Sequence, residues 1–212
     1  MRRLAWKTAL IAEVAARTHA VPLPAPGPEG WPAISRDHDQ YRRVHVRGVF
    51  RHDRETLVQA VTDAGAGYWV ITPLQVRRDF TVLVNRGFVP PERSAPGARW
   101  AGQAQGEQQV TGLLRLSEPH GGFLRANDLA HDRWRSRDVA AIAARRGLSG
   151  VAPYFIDADA SPNPGGWPRG GLTVVRFANS HLVYAITWFA LALGSACGLV
   201  FVLRADRAED DA

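Results

Sequence analysis

Phe80-Thr81-Val82-Leu83-Val84-Asn85-Arg86-Gly87-Phe88-Val89 is a run of β-branched and aromatic residues that stops at Pro90-Pro91. That composition with a proline stop predicts a strand. Toward the N-terminus, Gly67-Tyr68-Trp69-Val70-Ile71-Thr72-Pro73-Leu74 has the same character. Tyr41 to Phe50 alternates, with Val44 and Val46 set against Arg43, His45 and Arg47. Gln109 to Leu116, Val151 to Ile156 and Leu172 to Phe177 are further strand candidates. Helical spacing predicts two short helices. Arg54 to Ala64 places Leu57, Val58, Val61 and Ala64 on one face, and Arg137 to Arg146 places Val139, Ile142 and Ala143 on one face before Gly147. The expected class is α+β: a single antiparallel β-rich domain with a few short helices. Within it, Asn85-Arg86-Gly87 predicts a turn or bulge with Gly87 at positive φ. Trp134, Arg137 and Asp138 are likewise expected to hold structure, the last two at a helix start.

The C-terminal part reads differently. No Asp, Glu, Lys or Arg occurs from Phe177 through Leu203. Leu182 to Leu203 is almost wholly apolar, and a helix of that length spans a hydrocarbon layer of about 30 Å. A C-terminal transmembrane helix over 177–204 is therefore expected, with Gly194 and Gly198 spaced for close approach of another helix. Residues 205–212 form a polar tail. Basic residues flank the apolar run on both sides (Arg169 and Arg176; Arg204 and Arg207), so charge does not orient it. Residues 1–20 read as a helical segment too polar to cross a membrane. Residues 21–32 read as a Pro-rich linker, and 33–176 as the β-rich domain.

Composition narrows the function. The chain is basic, with net charge +6, and almost all of the positive charge is Arg. The arginines are scattered as pairs and do not alternate with aromatic residues, which argues against a nucleic-acid surface. The single cysteine, Cys197, excludes an intrachain disulfide and a thiolate zinc site. No nucleophile elbow, zinc helix, phosphate loop or dinucleotide fingerprint occurs, so no enzyme is expected. Six of the histidines lie among polar neighbours. His181 stands apart, at the head of the apolar run, where an ionisable group marks a functional position. Imidazole is also a common axial ligand of haem iron. Tyr184 and Trp188 follow at i+3 and i+7, on roughly the same helical face, and Arg176 lies just outside with a charge that suits a propionate. His181 is the candidate metal ligand; Tyr184, Trp188 and Arg176 are candidate cofactor-binding residues.

Several stretches together resemble the surfeit-locus-one family of oxidase assembly proteins. They are Ala5-Trp6-Lys7 with Leu10-Ile11, Tyr41-Arg42-Arg43-Val44 with Gly48, the Gly67–Leu74 and Val82–Pro90 blocks, Trp134 with Arg137-Asp138, and Pro153-Tyr154-Phe155-Ile156-Asp157. The most specific is Asn179-Ser180-His181-Leu182-Val183-Tyr184-Ala185-Ile186-Thr187-Trp188-Phe189. The resemblance implies a β-rich extracytoplasmic domain between two membrane helices, in the bacterial inner membrane. The first of those helices would precede Trp6-Lys7 and is absent from this sequence. The resemblance further implies a factor that assists maturation of cytochrome c oxidase subunit I. It would hold or deliver haem a, alongside other oxidase assembly factors and with haem a synthase and membrane lipid as further partners. The alternative is a membrane-anchored scaffold that binds oxidase subunits without haem.

Overall fold

The computed structural model describes residues 14–119, 126–173 and 186–198. Phe80–Val89 (β5) is a strand over its full predicted length, and every one of its residues is buried. The other strands are Leu23–Pro24 (β1), Arg43–Phe50 (β2), Thr56–Thr62 (β3), Gly65–Arg77 (β4), Glu107–Leu116 (β6) and Val151–Ala158 (β7). They form one sheet in the order β1-β2-β6-β7-β5-β4-β3. A further pairing, Val49 with Gln75 and Phe50 with Leu74, joins β2 to β4. That contact closes β2, β6, β7, β5 and β4 into a barrel with one short seam. In strand count and partial closure it is comparable to the OB-type barrel. Pairing is antiparallel except for β1–β2 and β5–β7.

Burial on both faces of β5 follows from two cores. Val82 and Val84 point into the barrel with Val44, Leu74, Tyr154 and Ile156. Leu83 points the other way, onto Phe155, Ile71, Val58 and the Val139–Arg146 helix. The period-2 alternation of a strand sends neighbouring residues to opposite cores. Trp134 fills the second core at 1% exposure. Its indole donates to Asp132, and truncation to Ala is expected to cost about 3–5 kcal/mol.

The Val139–Arg146 helix starts two residues later than the predicted Arg137. Asp138 caps it by accepting from the amide of Ala141, and Gly147 ends it in the left-handed conformation at φ 60°. The Arg54–Ala64 helix is a correction: most of that stretch is strand β3. Thr56, Val58 and Ala60 alternate buried positions with Leu57, Gln59 and Val61. The same apolar residues satisfy a helical stripe on paper, but β-branched side chains and a full ladder with β4 decide for strand. Leu172 and Thr173 carry no strand, and the rest of the Leu172–Phe177 candidate lies outside the described residues. The Pro-rich stretch is extended at Leu23–Pro24, where it pairs with β2, and then forms a 3-10 turn over Pro28–Ala33. It is also seated on the barrel: the Pro26 carbonyl accepts from the Tyr154 hydroxyl and the Trp31 indole.

The chain divides into two compact units, Met1–Val174 and Val175–Ala212. In the second, residues 186–198 are helical and exposed throughout. Among the described residues no helix is long and apolar enough to cross a membrane. The expected span over 177–204 is thus not supported by the described helix, which covers less than half of it; the remainder lies outside the described residues.

Candidate functional site

The local geometry of Asn85-Arg86-Gly87 organises both faces of β5. The ladder with β4 pairs Ile71 with Asn85 and then Trp69 with Phe88, so Arg86 and Gly87 oppose Val70 alone. This is the predicted bulge. Gly87 sits at φ 128°, and a Cβ there would run into the carbonyl of Arg169. Only glycine has no Cβ to place there. Phe88 and Arg169 exchange backbone hydrogen bonds across this gap at 2.8 and 3.0 Å.

Asn85 faces out of the barrel. Its amide donates to Asp157 Oδ1 at 2.8 Å, and its oxygen accepts from the Gly87 amide. The Asp157 side chain is 1% exposed and pairs with Arg115 at 2.9 Å and Arg137 at 3.3 Å. Both arginines also reach Glu118. Two cations thus face two carboxylates. Burial works against the charge of Arg137, but Asp157 and Glu118 outweigh it and hold its pKa above the ordinary value. The arrangement orders the loop before the helix, as expected for Arg137.

Arg86 faces the barrel interior at one mouth, against the ring of Phe50 at 4.9 Å. Its Nη2 donates to the Gly102 carbonyl and to Asn163 Oδ1. Beside it lies a buried pair in which Arg99 grips both carboxylate oxygens of Glu55. His52 completes the group, its Nε2 donating to the Ala104 carbonyl at 3.0 Å. Burial holds the His52 imidazole below its ordinary value. Here two guanidinium groups lie near one carboxylate, and Arg99 is the one bonded to it. The buried placement of Arg86 was missed in the sequence; the signal for it was a charged residue inside an otherwise apolar strand.

Of the candidate cofactor residues, Arg176, His181 and Tyr184 lie outside the described residues. Trp188 is described, 69% exposed on the 186–198 helix beside exposed Phe189 and Leu191. An exposed indole on an apolar helix suits the flat apolar body of a tetrapyrrole. Imidazole suits its iron and guanidinium its propionates. Among the described residues no group of His, Cys, Asp and Glu is arranged to hold a metal ion.

A barrel with a bulged inner strand does not by itself define a function, and comparison with known proteins gives the chain a family. The sequence model of the SURF1 family matches residues 1–193. Surfeit locus protein 1 of Homo sapiens is 35% identical over 213 residues, which cover 92% of this chain and 69% of that protein. The Rattus norvegicus protein of the same name is 37% identical over 212 residues, covering 92% and 67%. A SURF1-like protein of Monosiga brevicollis is 36% identical over 180 residues, covering 79% and 68%. The chain belongs to the SURF1 family.

Proposed function

We propose that this chain is an assembly factor for haem-copper cytochrome c oxidase, and that it assists maturation of subunit I by holding or handing over haem a. The observation that carries the reading is the family match over residues 1–193. Family membership supports a role in cytochrome c oxidase assembly. The finer steps rest on the residues. His181 would hold the haem iron, Tyr184 and Trp188 would face the macrocycle, and Arg176 would meet a propionate. Haem a would supply the redox and oxygen-binding centre of the oxidase, and this chain would bind and orient it. The charge-free run 177–203, with exposed Ile186, Trp188, Phe189, Leu191 and Leu193 in its described part, favours lipid as its surroundings. On that reading the barrel stands on the extracytoplasmic side of a bacterial inner membrane, with oxidase subunits, other assembly factors and haem a synthase as partners.

The test is expression in cells that synthesise haem a, purification in detergent, and comparison of haem content and Soret band with His181→Ala and His181→Met. Loss of haem in His181→Ala and a shifted band in His181→Met are expected. Unchanged content and band in both remove the ligand role and leave the scaffold that binds oxidase subunits without haem. Undiminished oxidase assembly in cells lacking the protein would remove both readings.

A further inference from the structure

Arg86 is 2% exposed, and its Nε and Nη1 are buried without a hydrogen-bond partner. A buried donor left unmatched costs about 1–3 kcal/mol, and more when charged. The carboxylate that helps stabilise its charge, Glu55, is already held by Arg99. No ion pair joins Arg86 to a carboxylate among the described residues. Arg86 lines a cavity of about 280 Å³ at the barrel mouth, together with Phe50, Val84, Gln108, Thr111 and Ser161. The walls are thus apolar toward the barrel and carry amide and hydroxyl groups toward the rim.

We propose that this cavity is a receptor for a single carboxylate group, with Arg86 as the cation that receives it. Charge-assisted bonds between guanidinium and carboxylate are among the strongest available to a side chain, and Arg86 lines the cavity with no carboxylate bonded to it among the described residues. Burial pushes the Arg86 guanidinium down to about 10, Glu55 partly offsetting this and Arg99 adding to it. Asp159 lines the same cavity, and its Oδ1 accepts from the Ser161 amide at 3.0 Å. Its charge disfavours a dianion, so the fit is to a monocarboxylate and not to phosphate. The volume lies at the small end of ligand sites. It admits a short-chain acid or the carboxylate arm of a larger molecule, and excludes a whole tetrapyrrole. The inference does not depend on haem binding, since a free acid and a propionate arm present the same group.

The full chain in detergent micelles, labelled to show the Arg86 Nε–H, is titrated with propionate, with protoporphyrin against its dimethyl ester, and with inorganic phosphate. Propionate is expected to shift the Arg86 signal saturably in the millimolar range. Arg86→Gln should weaken binding, followed on carboxyl-labelled propionate, at least about tenfold, and Arg86→Lys by less. Ala104 also lines the cavity, so Ala104→Leu, which fills it and keeps Arg86, should weaken binding as much as Arg86→Gln and decides the matter if Arg86→Gln does not fold. Displacement of propionate by the porphyrin acid but not the ester identifies an arm as occupant; no displacement by either identifies a free acid. The proposal is overturned by an absent or unsaturable response to propionate, by equal binding in Ala104→Leu, or by phosphate binding as tightly as propionate.

Discussion

Asn85 and Arg86 are chain neighbours on β5, yet they serve opposite electrostatic settings. Asn85 joins a cluster on the outer face in which Arg115 and Arg137 meet Asp157 and Glu118. Arg86 enters a cluster at the barrel mouth in which it and Arg99 have Glu55 between them. Both are buried. In the first, every charge has a counter-charge and the network ties strands to the helix start. In the second, one cation is left over. A neutralised network can fix structure and do nothing else, whereas an excess charge held in a buried place leaves free energy available to a ligand.

The largest test of this contrast is Asp157→Ala. It leaves Arg115 and Arg137 with only Glu118 between them among the described residues, one cation then being uncompensated in a buried place, so a loss of about 3–5 kcal/mol is expected in urea denaturation. A loss under about 1 kcal/mol would mean that the network is solvated in solution and that the contrast is false. Arg86→Met makes the converse test. Removing an uncompensated charge while keeping its volume should change stability by less than about 1 kcal/mol, in either direction. A loss comparable to that of Asp157→Ala would show that the bonds to Gly102 and Asn163 make Arg86 a structural residue.

The smallest effect is one of pH. Burial lowers the His52 pKa, although its hydrogen bond to Ala104 works the other way. The unfolded chain therefore takes up the proton more readily than the folded one as pH falls below the ordinary value of 6.5. Stability contributed by neutral His52 is present above that pH and declines below it. A third positive charge beside Arg86 and Arg99 adds to the decline. In thermal unfolding, His52→Gln should lose less stability than the parent on acidification below pH 6.5; an equal loss would exclude His52 as its source.

The sequence carried the fold unevenly, for physical reasons. β5 and the Gly87 bulge were legible because an apolar run with an internal Asn-Arg-Gly has few other solutions. The Val139–Arg146 helix was legible from its cap and its glycine stop. Arg54 to Ala64 misled because Leu57, Val58 and Val61 suit either period, and only the ladder with β4 settles it. The barrel seam rests on Val49 and Phe50 meeting Gln75 and Leu74, contacts that no local pattern encodes. For the same reason the sequence could assign Arg86 a role in the bulge but not a place beside Glu55, just before β3, and Arg99, in a 3-10 segment over Pro96–Gly102. Of the haem-site candidates only Trp188 falls among the described residues, exposed on its helix.

The burial of β5 on both faces also sets a clock. Its amides are laddered to β4 on one side and β7 on the other, while β3 stands at the margin of the sheet. In deuterated solvent, β3 should take up label through local opening. The amides of β5 should wait for the whole barrel to come apart, making their exchange rate a direct reading of its global stability.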